Sequence, residues 1–253
     1  MRFIFDNKFA PLTDSMAFIQ CDIELALEKY LDWINPQIEE KIEMQKKIPE
    51  STWNEYNEQK PIIKEYKTTF LELLELIQPL NYPQKTLLFE NKNGWVGFIE
   101  NINGTEIRRI NQIASRININ TESLGVQAWQ NNYDKKANGW CGGSFNLYGG
   151  VENYGFKRHI MLSDQDKWEF DQSGTPLPFE DVEKYNEKLV RNRFTPEMLQ
   201  RYLLHYGIDY FNDDFYMPEG SKAYIIEYVR DPYENEESKT LHQRRIELKY
   251  ETT

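Results

Sequence analysis

Two cysteines, three histidines and thirteen glycines are all that this 253-residue chain has of three residue types on which much protein chemistry rests. Cys21 and Cys141 are too few for a disulfide framework, and no C-x-x-C pair exists to bind zinc or exchange electrons. His159, His205 and His242 are scattered, with neither H-x-x-x-H nor H-E-x-x-H among them, so the spacing of a zinc hydrolase is missing. Long apolar runs are missing as well. "FLELLELI" is broken by Glu72 and Glu75, far short of the ~20 apolar residues that span a bilayer. The opening "MRFIFDNKFAPLTD" has one Arg and a short apolar run before Asp6, without the apolar stretch of a secretory signal. The expected setting is cytoplasmic, with both thiols reduced and no membrane association.

What the chain does have is acid and aromatic surface. Forty-one Asp and Glu against thirty Lys and Arg give a net charge of −11. Nucleic acid and anionic membranes are repelled by such a mean field, whereas a cationic protein is attracted. Sixteen Tyr, fourteen Phe and six Trp mark a packed globule rather than a disordered polyelectrolyte. At this length, folding buries roughly 70–75% of the unfolded surface, so no metal or disulfide is needed for stability.

The order of patterns predicts an α+β fold: a mixed, mainly antiparallel sheet with helices packed on it, preceded by a helical N-terminal region. The division falls into residues 1–85, a strand plus helices, and residues 86–253, an α+β body, with one continuous domain as the alternative. "MAFIQC" reads as a strand. Asp22 then caps a helix whose apolar face is Ile23, Ala26, Tyr30 and Ile34 and whose end is set by Pro36. Pro61 opens a further helix carrying Ile63, Tyr66, Phe70, Leu73, Leu74 and Ile77. "TLLFE" and "WVGFIE" flank "NKNG" as a hairpin. A helix at 106–117 and the strand "SLGVQAWQ" follow. "FKRHIMLS" and "KWEFDQSG" form a second hairpin, and "TPLPFEDVEKYNEKL" turns into helix. Thr195 and Pro196 start the best-punctuated helix, which Gly207 closes. "AYIIEYVR" and "RRIELKYE" read as terminal strands.

"GWCGGSFNLYGG" concentrates five of the thirteen glycines. No Lys-Ser or Lys-Thr follows to make a phosphate loop, and G-x-G-x-x-G is absent. Phe145 and Leu147 alternate with Ser144, Asn146 and Tyr148, which describes a strand bent by glycine hinges. "GGSFN" lacks the second glycine of a hydrolase elbow. Asp164 and Asp166 sit in "DQDKWEFDQSGT", which has neither the Gly nor the closing Glu of a calcium loop. The acidic pairs Glu180-Asp181, Asp213-Asp214 and Glu236-Glu237 are no more frequent than an acid-rich chain supplies by chance. No metal, cofactor or catalytic residue is assigned. The competing enzyme reading rests on Cys141 as nucleophile or on a carboxylate pair.

"TLLFENKNGWVGFIEN" and "KWEFDQSGTPLPFEDVEKYNEKLVRNRFTPEMLQRYLLHYGIDYFNDDFY", together spanning roughly residues 86 to 216, resemble small bacterial proteins encoded beside secreted polymorphic toxins. These are the immunity proteins of toxin systems such as type VI secretion. The shared features are a strand hairpin, a Trp-x-Phe strand, a "GTPLPFE" turn and an Arg-Phe-Thr-Pro helix start. None is catalytic, so no active-site residue is carried over. The resemblance implies a binding protein whose partner is a cognate secreted toxin, expected to be basic. Two acidic segments fit such docking: "YFNDDFYMPEG", with Tyr210, Asp213, Asp214 and Tyr216, and "DPYENEES", with Asp231, Glu234, Glu236 and Glu237. A further alternative is a non-catalytic assembly protein of a phage or secretion system.

Overall fold

The computed structural model describes residues 3–45, 61–81, 83–102, 112–113, 115–116, 121–130, 140–149, 155–165, 167–228, 238–248 and 250. Nine strands form one antiparallel sheet: β1 (Ser15–Gln20), β2 (Ile62–Tyr66), β3 (Gln84–Glu90), β4 (Trp95–Glu100), β5 (Ser123–Gln130), β6 (Trp140–Tyr148), β7 (Phe156–Gln165), β8 (Lys167–Gly174) and β9 (Ala223–Tyr228). Their order across the sheet is β2-β9-β3-β4-β1-β5-β6-β7-β8. Four helices can be given with both ends among the described residues: α1 (Ile23–Gln45), α2 (Phe70–Leu76), α3 (Pro196–His205) and α4 (Leu241–Glu247). The fold is therefore α+β. Among the described residues, no helix is long and apolar enough to cross a membrane.

Alternation along the strands builds two apolar layers. Met16 and Phe18 of β1, Leu87 and Phe89 of β3, and Phe145 and Leu147 of β6 point to one side, where α2 and α3 pack. Ala17 and Ile19, with Leu88, Val96 and Phe98, point to the other and meet Ile23, Ala26 and Tyr30 of α1. An antiparallel sheet commonly keeps one face wet. Here the central strands are covered on both, which is why "MAFIQ" and "WVGFIE" read as continuous apolar runs.

The N-terminal part is not a helical region that precedes the sheet. β1 lies at the sheet's centre, between β4 and β5, with Phe18 opposite Gly97 on one side and Leu124 on the other. Ile62–Tyr66, expected as helix, is edge strand β2 and pairs with β9. Ile63, Tyr66 and Phe70 mimic a helical stripe, but Thr69 starts the helix. Its hydroxyl accepts from the Glu72 amide while the Glu72 carboxylate accepts from the Thr69 amide. That reciprocal box leaves three residues between strand and helix.

Three more expectations need correction. Pro36 does not end α1. The charged segment after it, expected as a separate solvated helix followed by a loop over 37–60, continues the same helix to Gln45 on residues rich in Glu, Lys and Gln, all strong helix formers. Residues 46–60 lie outside the described residues. "TPLPFEDVEKYNEKL" yields only a 3-10 turn at Lys184–Asn186. "RRIELKYE" is not a strand; Thr240 and Gln243 form a second capping box that opens α4. Most of the helix expected at 106–117 lies outside the described residues, although 112–113 and 115–116 are helical.

The glycine-rich stretch is strand β6, paired with β5 and β7. Gly142 has φ +132°, and a Cβ there would collide with the carbonyl oxygen of Leu162 on β7. Gly94, in the β3–β4 turn, has φ +73° but open space around it. Both positions disfavour L side chains, and only the first also forbids the volume. Gly142→Ala is therefore expected to destabilise by roughly 2–4 kcal/mol and Gly94→Ala by about 1 kcal/mol. Urea unfolding of the two variants measures the difference; equal losses would remove the contact with Leu162 from the account.

Candidate functional site

The segment expected to anchor a partner is turned with its rings inward. Tyr210 is 1% exposed, and its hydroxyl donates to the carbonyl of Thr13 at 3.0 Å. Tyr216, 4% exposed, donates to the carbonyl of Tyr210 at 2.6 Å and stacks on Phe70 with centroids 4.7 Å apart. Burial pushes both phenols well above their ordinary range. Neither ring is presented at the surface.

The two acids between them are less buried than the rings. Asp213 is half-buried, and its Oδ1 accepts from the amide of Phe5 at 2.8 Å. Asp214 is exposed, its amide donating to Oδ1 of Asn212, the residue that caps the 3-10 turn Asp213–Phe215. Asp209 accepts from Gln200 at 2.6 Å and from Asn212 at 2.8 Å. A short acidic rim is thereby fixed on an aromatic base. Asp231, Glu234, Glu236 and Glu237 lie outside the described residues.

The residues weighed for catalysis are held apart. Burial, helped by neighbouring Asp22, pushes the Cys21 thiol up to about 12. Cys141 lies half-buried on β6. His205 is exposed and its ring lies 4.0 Å from that of Phe179. Glu180 and Asp181 diverge: the first is buried against Arg158, the second pairs with Arg201 on α3. Asp164 is exposed at the end of β7, and Asp166 lies outside the described residues. Among the described residues, no group of three His, Cys, Asp or Glu side chains could hold a metal ion.

Three polar networks were missed by reading the sequence. The first crosses five strands on the α1 side of the sheet. Gln127 donates to Ser15 Oγ at 2.9 Å, Ser144 donates to Gln127 Oε1 at 3.4 Å, and Asn146 donates to Ser144 Oγ at 3.0 Å. Asn146 Nδ2 also donates to the carbonyl of Gly125, so its Oδ1 is the atom that meets His159 Nδ1. His159 thus carries its proton on Nδ1, and Nε2 sits 3.7 Å from Asp171 on β8. Burial holds the imidazole below its ordinary pKa, with Asp171 opposing. Ser, His and Asp share one face, yet Ser144 reaches His159 only through Asn146. A hydrolase triad requires the direct bond.

The second network lies under the opposite face. Arg158, 1% exposed, grips Glu180 through Nε at 2.8 Å and Nη2 at 2.7 Å. Nη1 donates to the carbonyls of Ser173 and Gly174, and Nη2 also donates to Gln172. Glu180 additionally accepts from the Leu177 amide and the Tyr185 hydroxyl, which is 3.0 Å from that of Tyr202. The signal was present: Arg158 precedes Ile160 and Leu162 on the apolar side of its strand. The third network joins Asp14 to Tyr250 and Arg245.

A scan of protein-family models and searches of curated proteins and solved structures find no match to this chain. The functional reading therefore depends on charge and geometry.

Because Glu180 neutralises a buried guanidinium, Glu180→Gln is expected to cost about 3–5 kcal/mol in urea unfolding. The double change Arg158→Met with Glu180→Leu should recover most of that loss. A single-variant loss below about 1 kcal/mol would contradict a buried, charge-balancing role.

Proposed function

We propose that this protein is a non-catalytic inhibitor that docks onto a cationic secreted toxin and occludes it, acting in the cytoplasm as an immunity protein. The single observation that carries the reading is the charge of −11 together with an acidic segment on a hydrogen-bonded base, in which Asp214 is exposed and Asp209 and Asp213 are half-buried and bonded to Gln200 and Phe5. Fixed charges steer a partner without first having to be ordered. Steering of this kind raises on-rates by orders of magnitude above the ~10⁵–10⁶ M⁻¹s⁻¹ of neutral encounters and weakens as salt screens it.

With Tyr210 and Tyr216 engaged inside, the apolar part of such an interface has to come from other side chains. Leu204, the penultimate residue of α3, is 48% exposed just ahead of the acidic segment. Charge then sets the approach, and apolar contact of this kind sets the lifetime.

The reading predicts that co-expression rescues cells from the toxin encoded beside the gene, through a 1:1 complex. Asp214→Lys with Glu219→Lys, both exposed positions, should lower the association rate about tenfold at low salt while changing dissociation little. Stopped-flow association across a salt series measures this. No rescue by co-expression, or an on-rate indifferent to salt and to both substitutions, would overturn the proposal.

A further inference from the structure

The two margins of the sheet are finished differently. At one, β8 alternates three exposed charges, Lys167, Glu169 and Asp171, the first two paired at 3.0 Å. Charges placed this way keep a free strand edge from pairing with another chain. The other margin is β2, which among the described residues pairs with β9 alone. It opens with Ile62 and Ile63, 45% and 42% exposed. Lys64 and Glu65 follow, and Glu65 is already engaged by the Tyr224 hydroxyl and by Lys67. The strand thus offers an open row of amides and carbonyls beside two β-branched side chains.

The helix that follows extends this apolar surface. Ile62 lies opposite Glu227, on the sheet face of Ile225 and α2, while Ile63 lies opposite Ile226, on the α1 face. α2 leaves Leu71 and Leu76 exposed beside Glu72 and Glu75. Nine large apolar side chains are exposed among the described residues, and four of them fall between residues 62 and 76. Charge is nearly balanced here, with Lys64 and Lys67 against Glu65, Glu72 and Glu75. Residues 209–219, by contrast, carry Asp209, Asp213, Asp214 and Glu219 and no Lys or Arg. A cationic partner is drawn to the second surface, whereas two copies of an acidic chain repel each other least at the first.

We propose that β2 pairs antiparallel with β2 of a second copy, about a two-fold axis normal to the sheet at Ile63, joining two nine-stranded sheets into one. A symmetric dimer of this kind uses the same patch twice, so the patch has to be complementary to itself. The axis keeps each side chain on its own face of the sheet, which limits the registers. With the axis at Ile63, Ile63 meets Ile63 and the stem of Lys64 lies along Ile62. With the axis at Lys64, two ammonium groups stand directly opposite each other, and like charges so placed are destabilising. The first register also sets α2 of both copies on one face of the joined sheet, with the exposed Leu71 and Leu76 of each on the same side of the seam.

Sedimentation equilibrium of the full chain across a concentration series tests the pairing. The expected result is reversible passage from 30.3 kDa to twice that mass. Ile63→Lys puts two ammonium groups on the axis and should raise the dissociation constant at least about tenfold; Leu189→Lys, an exposed position outside the patch, should leave it unchanged. Added salt should strengthen the dimer by screening two copies of charge −11 from each other. That is the reverse of its effect on the toxin encounter, so the two proposals fail separately. Should Ile63→Lys not fold, hydrogen exchange of the wild type decides, because amides of residues 62–66 should exchange more slowly as protein concentration rises. A chain that stays at 30.3 kDa throughout, or a dimer weakened no more by Ile63→Lys than by Leu189→Lys, would overturn the proposal. Exchange at 62–66 that ignores concentration would overturn it as well.

Discussion

The insertion of β1 between β4 and β5 is the constraint on which the rest of the structure depends. Without it the sheet is two separate groups, β2-β9-β3-β4 and β5-β6-β7-β8, each with an open edge beside apolar side chains. Six residues near the start of the chain supply the ladder to both. Their side chains also enter both apolar layers, Met16 and Phe18 on one side and Ala17 and Ile19 on the other. Phe18 meets Tyr210 and Phe215 edge-on or tilted, at 6.2 and 6.3 Å, so the same strand positions the acidic segment that follows α3. These contacts span much of the chain, and their closure entropy is met before they stabilise anything.

Polar groups then make the arrangement specific. On one face, Ser15, Gln127, Ser144, Asn146 and His159 bond across successive strands, so a slip of one residue would leave buried amides and a hydroxyl without partners. On the other, Arg158 and Glu180 fasten the outer hairpin to the segment leading into α3. These side chains include reactive types, but here each completes the bonding of another. Directional bonds of this kind stiffen a platform, and a stiff platform suits a protein proposed to act by presenting a fixed charged surface.

The sheet was legible where patterning and punctuation agreed. The β3–β4 hairpin follows from two apolar runs around "NKNG", and α3 from Thr195, Pro196 and Gly207; the structure adds that Thr195 Oγ1 accepts from the Met198 amide. Elsewhere a true local signal lost to a false periodicity. Thr69 with Glu72 and Thr240 with Gln243 mark helix starts, yet the apolar spacing of Ile63, Tyr66 and Phe70 suggested helix too early. Strand order was not legible at all, because nothing near residue 18 says that it will lie between residues 97 and 124. The candidate site was half legible: local sequence showed rings and carboxylates alternating, but only the contacts of Tyr210 with Thr13 and of Tyr216 with Phe70 decide which set faces inward. The buried partnership of Asp14 with Tyr250, 236 positions apart, had no local signal.

The most direct test of the account is native-state hydrogen exchange through a urea series, following the amides of β3 and β4 separately from those of β6 and β7. If β1 makes the two groups of strands one body, both lose protection at the same urea concentration and with the same slope. Protection that persists in β6 and β7 after β3 and β4 have opened, or the reverse, would contradict it.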